Sequence, residues 1–208
     1  MTEYFKFSTE SGVWLHGPDS NLAFAFIQNS WSEETKENME KAFVKCTELF
    51  PVIIDEVEKT TESPVVNGLY LLNKDQMIKV MNSIQGMGQT SAQNQEFDGY
   101  ANATTICKLF FNDLLSNLGG DVTPMMNYLV EQMRIVQEQA EEATIDNDFG
   151  ILVGIASLMP VLEMPITTFV YISTQSESKS WFVSLSCLNP KKVKFSIKTT
   201  VVKWNYNS

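Results

Sequence analysis

One histidine, one arginine and three cysteines in 208 residues leave little for most kinds of site chemistry. Cys46, Cys107 and Cys187 form no CxxC pair, which excludes a disulfide scaffold and a zinc-type Cys/His cluster. Cys46 and Cys107 fall among the apolar positions of expected helices, where a thiol behaves as a small hydrophobe, so all three are expected to be free. His16 stands alone at the end of an expected strand, and no GxSxG, P-loop or HExxH pattern accompanies it. Its ordinary role is a hydrogen-bonded or surface imidazole. Gly86 and Gly88 have no third glycine to complete a dinucleotide fingerprint, and Asp146-Asn147-Asp148 lacks the further ligands of a calcium loop. Catalysis, a cofactor and a metal are therefore not expected.

Positive charge is also scarce. Fifteen Lys and Arg against 25 Asp and Glu give a net charge of -10, so the dominant basic surface that a general nucleic-acid binder needs is missing. The N-terminus shows no basic segment followed by an apolar one, so no Sec-type leader is expected. The longest apolar run, Phe149 to Met164, is cut by Pro160 and carries Glu163, and falls short of the roughly 18 to 20 residues of a membrane-spanning helix. The sequence as it stands reads as water-soluble.

What is present is 44% hydrophobic residues in a chain long enough for one compact core, and the expectation is a single domain over 1–208. Tyr4 to Phe7 and Val13 to His16, around a turn containing Gly12, predict a β-hairpin. Asn21 to Asn29 reads as a strand or a short helix. Ser30-x-x-Glu33 offers a capping box for a helix whose Met39, Phe43, Cys46 and Phe50 share one face, with Pro51 as its stop. Val52 to Ile54 and Val65 to Leu72 are candidate strands. A short helix with Met77, Ile78, Met81 and Ile84 inward follows, and then Gln85 to Gly99, polar and without periodicity, reads as a loop or hinge.

Thr104 to Ala143 predicts a helical hairpin turning at Gly119-Gly120, with Pro124 at a first helical position. Beyond Asp148 the chain turns to strand-formers: Phe149 to Met159, Ile166 to Thr174, Ser180 to Leu188 and Lys192 to Trp204. Helix-rich 30–145 followed by strand-rich 149–204 predicts an α+β fold, an antiparallel β-sheet covered by amphipathic helices including the helical hairpin, in an α/β/α-like sandwich.

Charge is unevenly spread. Residues 176–208 hold six lysines and one glutamate, a net +5, which leaves -15 for residues 1–175. Lys191, Lys192, Lys194 and Lys198 lie within eight residues, the last three on one face of a strand. Trp181 and Trp204, exposed beside them, would suit a membrane interface, although aromatic residues in strands more often belong to the core. Two readings stand open. The lysines guard an edge strand against aggregation, or they form a headgroup-facing patch to which each contributes about 1 kcal/mol at an anionic bilayer.

The order of elements over Trp31 to Trp204 resembles the Cyt-type δ-endotoxins and the volvatoxin-like cytolysins: amphipathic helix (Glu33 to Leu49), short helix (Lys74 to Ile84), polar stretch (Gly86 to Gly99), helical hairpin (Thr104 to Ala143), then long Val/Ile/Thr-rich strands. The resemblance implies helix layers around an antiparallel sheet and a toxin, secreted or released, that rearranges on lipid; a spanning pore would require oligomerisation, because an open sheet edge leaves backbone groups unpaired in lipid. It is one of pattern, so no functional residue is carried over. The alternative is a soluble, non-enzymatic host-interaction or virulence factor, acylated on Cys187 in one variant, or a storage or crystal-forming protein. An enzyme with a site made of carboxylates alone stands third.

Overall fold

The computed structural model describes residues 3–17, 22–60, 65–66, 69–70, 72, 74–101, 123–125, 127–128, 149–159, 161–176 and 193–207. The expected hairpin over Thr104 to Ala143, apart from the helical residues 123–125 and 127–128, and the expected strand Ser180 to Leu188 lie outside them.

The aromatic segments at the N-terminus form β1 (Phe5–Ser8) and β2 (Gly12–His16), paired antiparallel as predicted. The undecided segment is β3 (Ala23–Gln28). It shows no alternation because both its faces are covered, Ala23, Ala25 and Ile27 on one side and Phe24 and Phe26 on the other.

Helix α1 runs from Glu33 to Thr60, straight through Pro51. The expectation that Pro51 stops the helix, and that Val52 to Ile54 form a strand, is corrected. Met39, Phe43, Cys46, Phe50, Ile53 and Val57 recur at spacings of four and three and are all buried, so the stripe continues past the proline, which sits on the exposed side. Packing of Ile53 and Val57 outweighs one missing intrahelical hydrogen bond. The cap is Ser32, two residues later than expected: its Oγ accepts the Thr35 amide at 3.2 Å. Glu33 and Glu34 in the first turn and Lys59 in the last suit the helix dipole.

Short β4 (Val65–Val66) and β5 (Leu69–Tyr70) lead to α2 (Lys74–Ser83), which buries Met77, Val80 and Met81. Gly86, with φ +88°, then turns the chain, its carbonyl accepting the Asn207 amide at 2.9 Å. The segment expected to be a loop or hinge is instead β6 (Met87–Ala101), which pairs with β9 over its whole length. Its polar residues are largely exposed on both faces, so pairing holds a strand that hydrophobic patterning cannot announce. A bulge at Thr90 interrupts the ladder, and the Thr90 hydroxyl donates to the Lys203 carbonyl at 3.2 Å.

Strands β7 (Phe149–Met159), β8 (Met164–Ser176) and β9 (Val193–Tyr206) complete one sheet in the order β1-β2-β3-β7-β8-β9-β6, with β4 and β5 joined to it through β7. Among the described pairs only β3 with β7 is parallel. The fold is α+β, as expected. Helices α1 and α2 lie on one face against Leu15, Leu152, Ala156, Phe169, Tyr171, Val202 and Trp204. Trp14, Phe24, Phe26, Val153, Ile155, Val170 and Val201 are buried as well, on the opposite parity of the same strands, so the sheet is covered on both faces.

Candidate functional site

Of the residues expected to meet a membrane, Lys191, Lys192 and Trp181 lie outside the described residues, as does Cys187, the candidate acylation site. Lys194 pairs in register with Tyr100 of β6. Lys198 is exposed and lies opposite Glu96, the two charged groups 3.6 Å apart. Glu96 and Asp98 of β6 thus run alongside Lys194 and Lys198 of β9, and the basic strand is answered by acidic neighbours. An exposed pair of this kind contributes at most about 1 kcal/mol.

Trp204 is a correction. It was expected at the surface, and it is fully buried between the sheet and the helices. The reason is in the strand. Val202 and Trp204 share the parity of Lys194 and Lys198, so one face of β9 leaves solvent after Thr200 and passes beneath α1 and α2. The indole Nε1 finds no hydrogen-bond partner among the described residues.

His16 is buried in a set of rings. Its imidazole stacks on Phe5 at 4.6 Å and Phe7 at 4.9 Å, lies 4.2 Å from the Tyr128 ring, and its Nδ1 is 2.9 Å from the Gly17 carbonyl, which accepts. Tyr128 also meets Phe7 and Phe24. The single histidine therefore joins the N-terminal hairpin to the helical residues on the second face of the sheet. This is a packing role.

Cys46 is buried against Gly154, and burial pushes its thiol well above the usual thiol range, the opposite of what a nucleophile needs. Among the described residues no group of three His, Cys, Asp or Glu side chains could hold a metal, and no helix is long and apolar enough to cross a membrane.

One surface feature was missed by reading the sequence. Between β7 and β8 the described turn, residues 161–163, carries Val161 at 89% exposure and Leu162 at 60%, followed by Met164 at 58%. The Glu163 amide donates to the Met159 carbonyl at 2.9 Å, and Glu163 takes φ +50°, unusual for a residue other than glycine. The signal was there: the apolar run Phe149 to Met164 contains Pro160 and Glu163, turn and charge inside what otherwise reads as a continuous strand.

No protein-family model and no curated protein matches the chain. Solved structures do. The Evf virulence factor shares the fold at a TM-score of 0.60 and 14% identity, over 86% of this chain and 69% of that one. The activated Cyt2Ba monomer from Bacillus thuringiensis subsp. israelensis aligns at a TM-score of 0.42 and 7% identity, over 78% of this chain and 94% of that one. A delta-endotoxin aligns at 0.42 and 9%, over 99% and 88%. The first likeness establishes the fold, and the other two carry no argument.

Proposed function

We propose that this chain is a membrane-acting protein of the virulence or cytolysin type, folded in water and rearranged on lipid. One observation carries the reading: the central strands are long and apolar on both faces. On β7 and β8, Leu152, Ala156, Phe169 and Tyr171 face α1 and α2, while Val153, Ile155, Val170 and Ile172 are buried on the other parity. These two strands have 11 and 13 residues, against about 9 to 11 for a tilted strand that crosses a bilayer. Such strands keep their apolar surface covered in water and become bilayer-compatible if a helical layer parts. An open sheet edge in lipid leaves backbone groups unpaired at several kcal/mol each, so a spanning assembly takes several copies to close it. The fold shared with a virulence factor agrees with this reading at the level of architecture.

Dye release tests it. The protein is added to vesicles of phosphatidylcholine with phosphatidylglycerol, and the triple variant Lys192→Glu, Lys194→Glu, Lys198→Glu is compared. Release by the wild type, reduced in the variant, is the expected result. Absence of both leakage and co-sedimentation with any vesicle rejects the membrane role and leaves the soluble-interaction reading.

A further inference from the structure

We infer that the β7–β8 hairpin tip, Val161 and Leu162 with Met164, is a lipid-docking point suited to an uncharged, zwitterionic bilayer interface. The inference rests on the membrane reading above and names the part that makes first contact. Three large apolar side chains stand more than half exposed, Val161 and Leu162 on the turn 161–163 and Met164 at the first position of β8. Scattered exposed apolar residues are ordinary, but three within four positions at the end of a hairpin are a patch.

The shape decides the class of partner. A tip of this size offers a few hundred Å² of apolar surface, well below the roughly 1,200 Å² of a stable protein–protein interface, and two tips meeting do not reach it either. A bilayer needs no complementary pocket and accepts a convex apolar tip as it is. The backbone fits as well. Proline has no amide N–H to leave unpaired, which removes residues 160 and 165 as donors, and the Glu163 amide is already bonded to Met159.

Charge selects the kind of lipid. The parallel pairing of β3 with β7 and the antiparallel pairing of β2 with β3 put the β1–β2 turn and the start of α1 at the same end of the sheet as the tip. Nearest the tip, Glu10, Glu33, Glu34 and Glu163 are all exposed, against Lys36, which is paired with Glu33 at 2.8 Å; further along the sheet lie Lys203, paired in register with Val170, and Lys45, which reaches over the Tyr206 ring and pairs with Glu48 at 3.7 Å. An anionic surface repels such an end; a zwitterionic one does not. Lys194 and Lys198 lie toward the other end of the sheet. At about 3.3 Å per residue the 13 residues of β8 put roughly 40 Å between its ends. Docking by the tip and attraction through the lysines are therefore separate contacts.

Co-sedimentation of the full chain with pure phosphatidylcholine vesicles tests this, comparing wild type, Val161→Glu with Leu162→Glu, and Lys194→Glu with Lys198→Glu. Circular dichroism confirms that each folds, which is expected because the tip side chains are exposed. The expected result is a loss of about tenfold or more in phosphatidylcholine binding for the tip variant, with Val161→Ala, Leu162→Ala intermediate and the lysine variant unchanged. If the wild type and the tip variant bind these vesicles equally, the tip is not the contact, while the membrane role survives. If the wild type binds only vesicles containing phosphatidylglycerol, the zwitterionic preference is wrong. Concentration-dependent self-association abolished by the tip substitutions would assign the patch to a second copy and overturn the proposal. Failure of the wild type to bind any vesicle removes the premise, and the inference with it.

Discussion

Gly154 of β7 lies directly beneath Cys46 of α1: a Cβ at the glycine would overlap the thiol sulfur and come within 3.0 Å of Phe50 Cε2 and 3.1 Å of Phe169 Cε1. The helix can approach the sheet this closely only because residue 154 has no side chain. Gly154→Ala is expected to destabilise the fold by about 1–3 kcal/mol through overpacking. Because the worst overlap is with the sulfur, Cys46→Ala in the same chain should recover part of that loss. Chemical denaturation of the four members of the cycle measures the coupling, and strict additivity would show that the two residues do not compete for the same space.

Cys46 also predicts a pH dependence. In the unfolded chain its thiol ionises near the usual value of about 8.5, while burial in the folded protein raises its pKa. The native state then holds one proton more than the unfolded state above that pH. Its contribution to stability is complete below about pH 8.5 and declines as pH rises, by about 1.4 kcal/mol per pH unit for one proton. Other groups titrate in this range, so the difference between wild type and Cys46→Ala isolates the effect. The variant should show the shallower alkaline decline, and identical slopes would contradict the assignment.

Pro51 is exposed near the middle of a 28-residue helix. It cannot donate to the carbonyl of Thr47, four residues earlier, and proline in a helix interior costs up to about 3 kcal/mol relative to alanine. Pro51→Ala should therefore stabilise the protein, by about 1–2 kcal/mol if the helix has partly adjusted around the ring. A rise in thermal midpoint is the expected outcome. A fall would mean that the proline restrains a bend on which the packing of Ile53 and Val57 depends.

Proline also marks where reading the sequence was limited. The hairpin β1–β2, the first half of α1, helix α2 and the bounds of β7 were legible because aromatic runs, a 3.6-residue stripe and flanking turn residues all pointed the same way. Past Pro51 the local signal says stop and the stripe says continue, and only the packing surface offered by the sheet resolves that conflict. Gln85 to Gly99 was illegible for the opposite reason. A strand wet on both faces carries no alternation, and its partner lies about a hundred residues away. The candidate site suffered in the same way. Alternation over Lys192 to Val201 suggested one basic and one apolar face, but it could not tell that the helices cover Val202 and Trp204 on the lysine parity, nor that Glu96 faces Lys198.

Trp204 separates a core role from an interfacial one. Its ring is buried with no described partner for the indole N–H, so removing that donor leaves no acceptor stranded. Trp204→Phe is expected to cost less than about 2 kcal/mol, and Trp204→Ala about 3–5 kcal/mol through the cavity it opens. Vesicle binding by folded Trp204→Phe should match wild type. A selective loss of lipid binding with unchanged stability would return Trp204 to the surface role that its burial argues against.

The β6–β9 ribbon gives the last prediction. Strand β9 is paired on both sides, to β8 over 197–206 and to β6 over 193–206, whereas β6 has only β9 beside it among the described residues. Amide hydrogens of β9 should therefore exchange slowly over 197–206, where both sides are paired, while those of β6 should divide into protected amides directed at β9 and fast ones directed away. A hinge over Gln85 to Gly99 predicts instead uniformly fast exchange there and fast exchange on the side of β9 that faces it. Reversing one charge tests the same pairing by a different route. Glu96→Lys places like charges opposite one another across the ribbon and should destabilise by a few tenths of a kcal/mol, and adding Lys198→Glu should restore the attraction. Both measurements address whether the acidic strand lies against the lysines in solution, since it is this pairing that reduces the basic surface available to a bilayer.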